Sequence, residues 1–202
     1  MPAKVCDYCR SVVTRTDDKL VALGKAATLP EDVSPLQLGA RGRWEDADFL
    51  IVGRMRWRWS GGAWTEWLAV REDDTKLWLG DAVGRFMVLS ECPPGAAAAA
   101  ADELGPLPMA GRRLSLLGVG YQLMDAKRAT IVGAEGELPY RPARNAELRN
   151  LDFANDTGRC ASIQTVSGLT TAYAGRYADL QALEPRGLRP VPGWQAPAFA
   201  DA

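Results

Sequence analysis

The chain has 202 residues, 24 basic and 25 acidic side chains and a formal net charge of −1, so it lacks the basic surplus that a nucleic-acid backbone or an anionic membrane surface attracts. It contains no histidine, which excludes Ser-His-Asp and Cys-His catalysis and any His-ligated metal centre, and leaves carboxylate, lysine, tyrosine and cysteine chemistry open. No apolar run approaches the ~20 residues of a membrane-spanning helix. Cys6-Asp7-Tyr8-Cys9 stands where the apolar core of a secretory signal would lie, so a cytoplasmic protein that does not span the membrane is expected.

In chain order, the Cys6-Cys9 knuckle is followed by a strand-like run over 10–16, and Asp17-Asp18 introduces a short apolar helix candidate over 20–27. Prolines 30 and 35 mark an extended connector. From Leu36 to Leu89 the pattern predicts about five short strands separated by glycine turns: Arg41–Trp44, Asp48–Arg54 running bent into Met55–Trp59, Trp64–Arg71, Lys76–Gly80 and Arg85–Leu89. Six of the seven tryptophans fall between Trp44 and Trp78. Alternation places Met55, Trp57 and Trp59 on one face and Arg54, Arg56 and Arg58 on the other, with Gly61-Gly62 supplying the positive φ of a tight hairpin. Strands this short and this closely spaced suggest a small SH3-like barrel over 36–91.

Cys92-Pro93-Pro94-Gly95 ends that unit, and the alanine run 96–101 reads as a linker (92–108) able to form a turn or two of helix. A second β-rich unit over 109–184 follows, with strands at Arg112–Leu117, Gly120–Ala126 and Thr130–Ala134, then a segment through Glu135–Tyr140, ending near Tyr173–Tyr177. Its opening, Met109-Ala110-Gly111-Arg112, echoes Leu38-Gly39-Ala40-Arg41, a short hint of internal duplication. The Pro/Gly/Ala-rich tail over 185–202 is expected to be disordered. The fold expected from the whole pattern is mostly β: two small SH3-like barrels in tandem, preceded by a Cys-x-x-Cys knuckle and connector over 1–35.

Gly39-Ala40-Arg41-Gly42-Arg43, Phe49–Arg54, the Trp-x-Glu-Trp run Trp64–Trp67, Trp78-Leu79-Gly80 and Val132–Tyr140 together resemble bacterial proteins of domain of unknown function 4178. The resemblance covers about residues 36–180. Such proteins often begin with a zinc ribbon of two Cys-x-x-Cys knuckles, and only one is present here, so the resemblance implies that residues 1–35 are a remnant zinc-ribbon knuckle and connector. The resemblance implies a second knuckle before Met1 and an accessory role in envelope-stress or polyamine-related systems.

Three groups of residues carry the candidate chemistry. Cys6 and Cys9 have zinc-ligand spacing but supply two of four ligands, leaving a half-lost ribbon, zinc shared between two chains and a redox pair as readings. Trp57, Trp59, Trp64 and Trp67, with Glu66 between them and expected off the Trp64 face, form either a barrel core or an exposed platform for a protein or peptide partner, membrane-associated if the resemblance holds. Glu66 is expected to pair with Arg56, Arg58 or Arg85. Glu135 and Glu137, two apart on a strand-like segment, would face one side, either as a solvated turn before Leu138-Pro139 or, with Glu66, as a carboxylate-based or metal-assisted enzyme site. The leading expectation is a non-catalytic binding or scaffold module, with that enzyme site as the alternative.

Overall fold

The structure, a computed structural model, describes residues 3–5, 11–16, 19–25, 34–82, 84–105, 111–140, 143 and 145–192. Two chain segments repeat one path: a short strand, a long bent strand and three further antiparallel strands. The first comprises β4 (Arg41–Trp44), β5 (Ala47–Trp59), β6 (Gly62–Arg71), β7 (Lys76–Ala82) and β8 (Arg85–Glu91). The second comprises β9 (Arg113–Leu116), β10 (Val119–Leu138), β11 (Glu147–Ala154), β12 (Arg159–Val166) and β13 (Leu169–Asp179).

Neither set of five strands closes on itself. β8 pairs with β13 and β5 pairs with β10, so the ring β5-β6-β7-β8-β13-β12-β11-β10 closes into one eight-stranded antiparallel barrel. The two SH3-like barrels expected from strand spacing are therefore halves of one larger barrel. Spacing along the chain reports strands and turns, whereas the two seams join residues about 80 positions apart.

The β5–β10 seam is tight. Gly53 lies opposite Gly136, and a Cβ at either would meet backbone oxygen of the other strand, at Glu137 and Val52 respectively. Near it, β5 carries a bulge between Ile51 and Gly53. The extra residue shifts which side-chain parity faces inward. Phe49 and Ile51 consequently pack outside the ring with Trp67, Leu79 and Phe86, while Met55 and Trp57 pack inside it with Leu68, Trp78 and Tyr173. The alternation predicted over 54–59 holds, with Met55 and Trp57 buried and Arg58 exposed. The hairpin glycines act differently from expectation: neither has a positive φ, and Gly61 is small because a Cβ would meet the Trp59 ring.

Both outer faces are clad. One is covered by Leu36 and by Leu180 and Leu183 around a 3₁₀ turn. The other is covered by β9 and by α1 (Pro94–Leu104), whose Ala97, Ala100 and Leu104 join Leu114, Ile163 and Ala172 in one buried cluster. The alanine run is thus a packed helix, started by a proline in its first turn and ended at Gly105 with φ 60. Beyond the ring, β1 (Ala3–Val5) pairs with the end of β10, β2 (Ser11–Thr16) with β1, and β3 (Lys19–Lys25) with β2. The helix expected over 20–27 is therefore a strand through residue 25, because pairing with β2 outweighs weak local propensity. Residues 185–192, expected to be disordered, include segments held to the body: Arg186 exchanges backbone hydrogen bonds with Arg41, and Arg189 N donates to Pro35 O. Cys6 and Cys9 lie outside the described residues. Among the described residues no helix is long and apolar enough to cross a membrane.

Candidate functional site

The inward face of the barrel is not wholly filled. Along one row, Met55 on β5 lies opposite Glu66 on β6, which lies opposite Gly80 on β7, which lies opposite Met87 on β8. Gly80 contributes no side chain to this row, and a cavity of about 240 Å³ opens there. Its walls include Trp64, Trp78, Tyr140, Tyr173 and Tyr177, together with the polar side chains Glu66, Asn150, Asp152, Ser162 and Gln164. Eight-stranded barrels are of the size at which side chains fill the interior or leave room for one small ligand.

Glu66 is 6% exposed and accepts three hydrogen bonds from neutral groups: Trp57 Nε1 at 2.8 Å, Trp64 Nε1 at 3.2 Å and Gln164 Nε2 at 2.8 Å. A carboxylate offers about four lone-pair positions, so little capacity is left to take a proton from a substrate. Burial pushes the Glu66 carboxyl above its ordinary 4.5, the three donors pull it down, and the charge of Asp152 adds to the rise. Across the barrel, Asp152 accepts from Asn150 Nδ2 at 2.8 Å, and Asn150 Oδ1 accepts from Ser162 Oγ at 2.9 Å. Burial pushes Asp152 up to about 6, against the hydrogen bond it accepts from Asn150. Gln164 lies opposite Asn150 in the ladder, so one polar belt runs from Glu66 to Asp152. Burial also pushes up the Tyr140 and Tyr173 hydroxyls and raises the Cys160 thiol to about 12.

The expected platform does not assemble on one surface. Trp57 and Trp64 face inward as direct cross-strand partners, and Trp57 is 2% exposed. Trp67 is 1% exposed and lies on the outer face, with the Arg54 guanidinium 5.3 Å from its ring centroid. Trp59 is half-buried with Lys127 Nζ 4.2 Å from its centroid. Glu66 shares the Trp64 face rather than avoiding it, because residues two apart on a strand point the same way.

The alternative carboxylate site also comes apart. Glu135 bonds Arg54 at 2.7 Å on the outside of the barrel, and Glu137 lies at the β1 junction, while Glu66 is inside. The carboxylate that joins Glu66 in the cavity is Asp152, which sequence reasoning missed along with Asn150, Ser162 and Gln164. Their signal was present: Asn150-Leu151-Asp152 and Ser162-Ile163-Gln164 alternate polar with apolar. That pattern ordinarily means a solvated face, but here cladding of the outer surface turns the polar face inward.

Cys92 and Cys160 are buried free thiols, and no group of three or more potential metal ligands occurs among the described residues. No curated protein and no solved structure matches the chain. The family model described as Domain of unknown function (DUF4178) matches residues 37–180, a span running from just before β4 to just past β13 and enclosing the entire barrel, and the chain belongs to that family.

Proposed function

We propose that the protein is a non-catalytic binding module whose site is the inside of the barrel, and that its ligand is a small molecule. The observation that carries this reading is the cavity itself: aromatic walls around a belt of polar groups already hydrogen-bonded to one another. Such preorganisation costs folding free energy and lowers the entropy lost when a ligand is fixed. Glu66 is too fully engaged by donors to serve well as a general base, which favours binding over catalysis.

Gly80 provides the test. A Cβ there meets only Met87 Cβ, at an ordinary 3.7 Å, so Gly80→Leu fills the cavity without a backbone clash. A fragment collection is screened by thermal shift and tryptophan fluorescence on wild type and G80L. Fragments that bind at 100 times their Kd are expected to raise the wild-type Tm by roughly 5–10 °C and to leave G80L unmoved. Hits that bind both proteins equally, or a screen without hits on the wild type, would overturn the reading.

A further inference from the structure

We infer that the ligand of this cavity is an alkylated ammonium ion, a compact cation of the trimethylammonium class. This rests on the barrel interior being the binding site, and adds to it the charge and chemical class of the ligand.

The charge follows from the lining. Glu66 and Asp152 enter from β6 and β11, on different sides of the ring, and both receive their hydrogen bonds from neutral groups. Arg85 also lines the cavity, but it is exposed, its guanidinium lies 4.6 Å from the Tyr177 centroid, and it hydrogen-bonds neither carboxylate. Burial without a bonded cation holds both carboxyls above their ordinary values, and a bound cation would relieve that cost. An anionic ligand would face two carboxylates. A neutral apolar ligand would displace water from them and return nothing.

The alkylated class follows from which contacts remain available. A primary ammonium brings three N–H donors that all require acceptors once desolvated. Glu66 has already accepted three hydrogen bonds, and one oxygen of Asp152 is engaged by Asn150. What the cavity does offer is charge at short range and aromatic faces. Among the described residues, Trp67, Tyr177 and Trp59 each carry a protein cation, whereas Trp64, Trp78, Tyr140 and Tyr173 carry none. Quaternary ammonium groups are held by such rings. The Trp64 indole is fixed in advance by its N–H bond to Glu66, which also polarises the ring toward greater negative charge on its face. The volume, about that of eight water molecules at ~30 Å³ each, suits a compact cation.

The decisive comparison is between choline and its neutral isostere 3,3-dimethylbutan-1-ol, titrated calorimetrically into the full chain at pH 8, with tetramethylammonium and ethanolamine alongside. Choline and tetramethylammonium are expected to bind at least tenfold more tightly than the isostere and than ethanolamine. In E66Q the choline affinity is expected to fall at least tenfold while that of the isostere stays the same, and G80L is expected to bind neither. Equal affinity for choline and isostere in the wild type would overturn the charge assignment, and a preference for ethanolamine would overturn the alkylated class. If neither cation binds while screened fragments bind wild type and not G80L, the cavity reading stands and this inference falls. Near-UV circular dichroism checks that E66Q is folded. Should it not be, D152N and the wild-type isostere comparison decide the matter.

Discussion

At Asp152 the protein keeps a carboxyl where burial pushes its pKa from an ordinary 3.8 up to about 6, with Asp125 adding to the rise and Lys127 opposing it. Glu66 on the facing wall is raised by the same cause. Below about pH 4, Asp152 is protonated in both the folded and unfolded chain and costs nothing. Above pH 6 it is ionised in both, and the folded state carries the full cost of a buried anion. Stability is therefore lost as pH rises from about 4 to 6, by roughly 3 kcal/mol from this residue. Asp152→Asn is expected to flatten that fall: urea midpoints of mutant and wild type should nearly coincide at pH 4, and the mutant should be the more stable at pH 7. A mutant less stable at pH 7 would mean that the hydrogen bond from Asn150 outweighs burial. The residue-scale chemistry was readable only in part. Glu66 stood out between two tryptophans, whereas Asp152 carries no local mark, because what makes it unusual is a barrel wall assembled from elsewhere in the chain.

Among the elements, β5 shows how far local pattern reaches. Alternation along Met55-Arg56-Trp57-Arg58-Trp59 gives the strand and its inward face, but the bend expected where Arg54 meets Met55 is displaced from the observed bulge between Ile51 and Gly53. Alternation does not reveal that Phe49 and Trp57 bury into different cores, since a bulge leaves no composition signal of its own. The alanine run was ambiguous for a related reason: propensity permitted a helix, but only the apolar faces of β9, β12 and β13 decide that it docks.

The same element supplies a sharp test of closure. Gly53 pairs with Gly136 at the β5–β10 seam, and a Cβ at Gly53 would run into Glu137 O, a backbone atom that cannot move without opening the ladder. Gly53→Ala is expected to cost about 2–4 kcal/mol in urea unfolding, in the range of strain and overpacking lesions. Gly80→Ala, with only Met87 Cβ at 3.7 Å, should stay within about 0.5 kcal/mol of wild type. Equal effects at the two glycines would remove the close approach as the reason for Gly53.

For the whole molecule, the unit of folding is the ring rather than either run of five strands. Each half was recognisable from its turns, yet each leaves two strand edges open and one side of the inner core bare. Met55, Trp57, Leu68, Trp78 and Leu89 come from the first half, and Ala129, Leu148, Cys160 and Tyr173 from the second. Unpaired edges and an uncovered apolar face are what a small sheet cannot sustain in water. Expressed separately, the 36–91 fragment, which holds six of the seven tryptophans, is therefore expected to lack the near-UV signal of fixed tryptophans, and neither it nor the 109–184 fragment is expected to show a cooperative thermal transition. Mixed in equal amounts, fragments cut within the 92–108 connection, each retaining its flanking segments, should regain both signals, because the two seams β8–β13 and β10–β5 need no covalent link between halves. A cooperative transition from the 36–91 fragment alone would mean that the first five strands hold a core of their own. The cavity would then lie between two independent units, and its walls could part to admit a ligand. Recovery only on mixing would make closure and site formation a single event, with Glu66 and Asp152 brought to face each other by the same two seams that complete the fold.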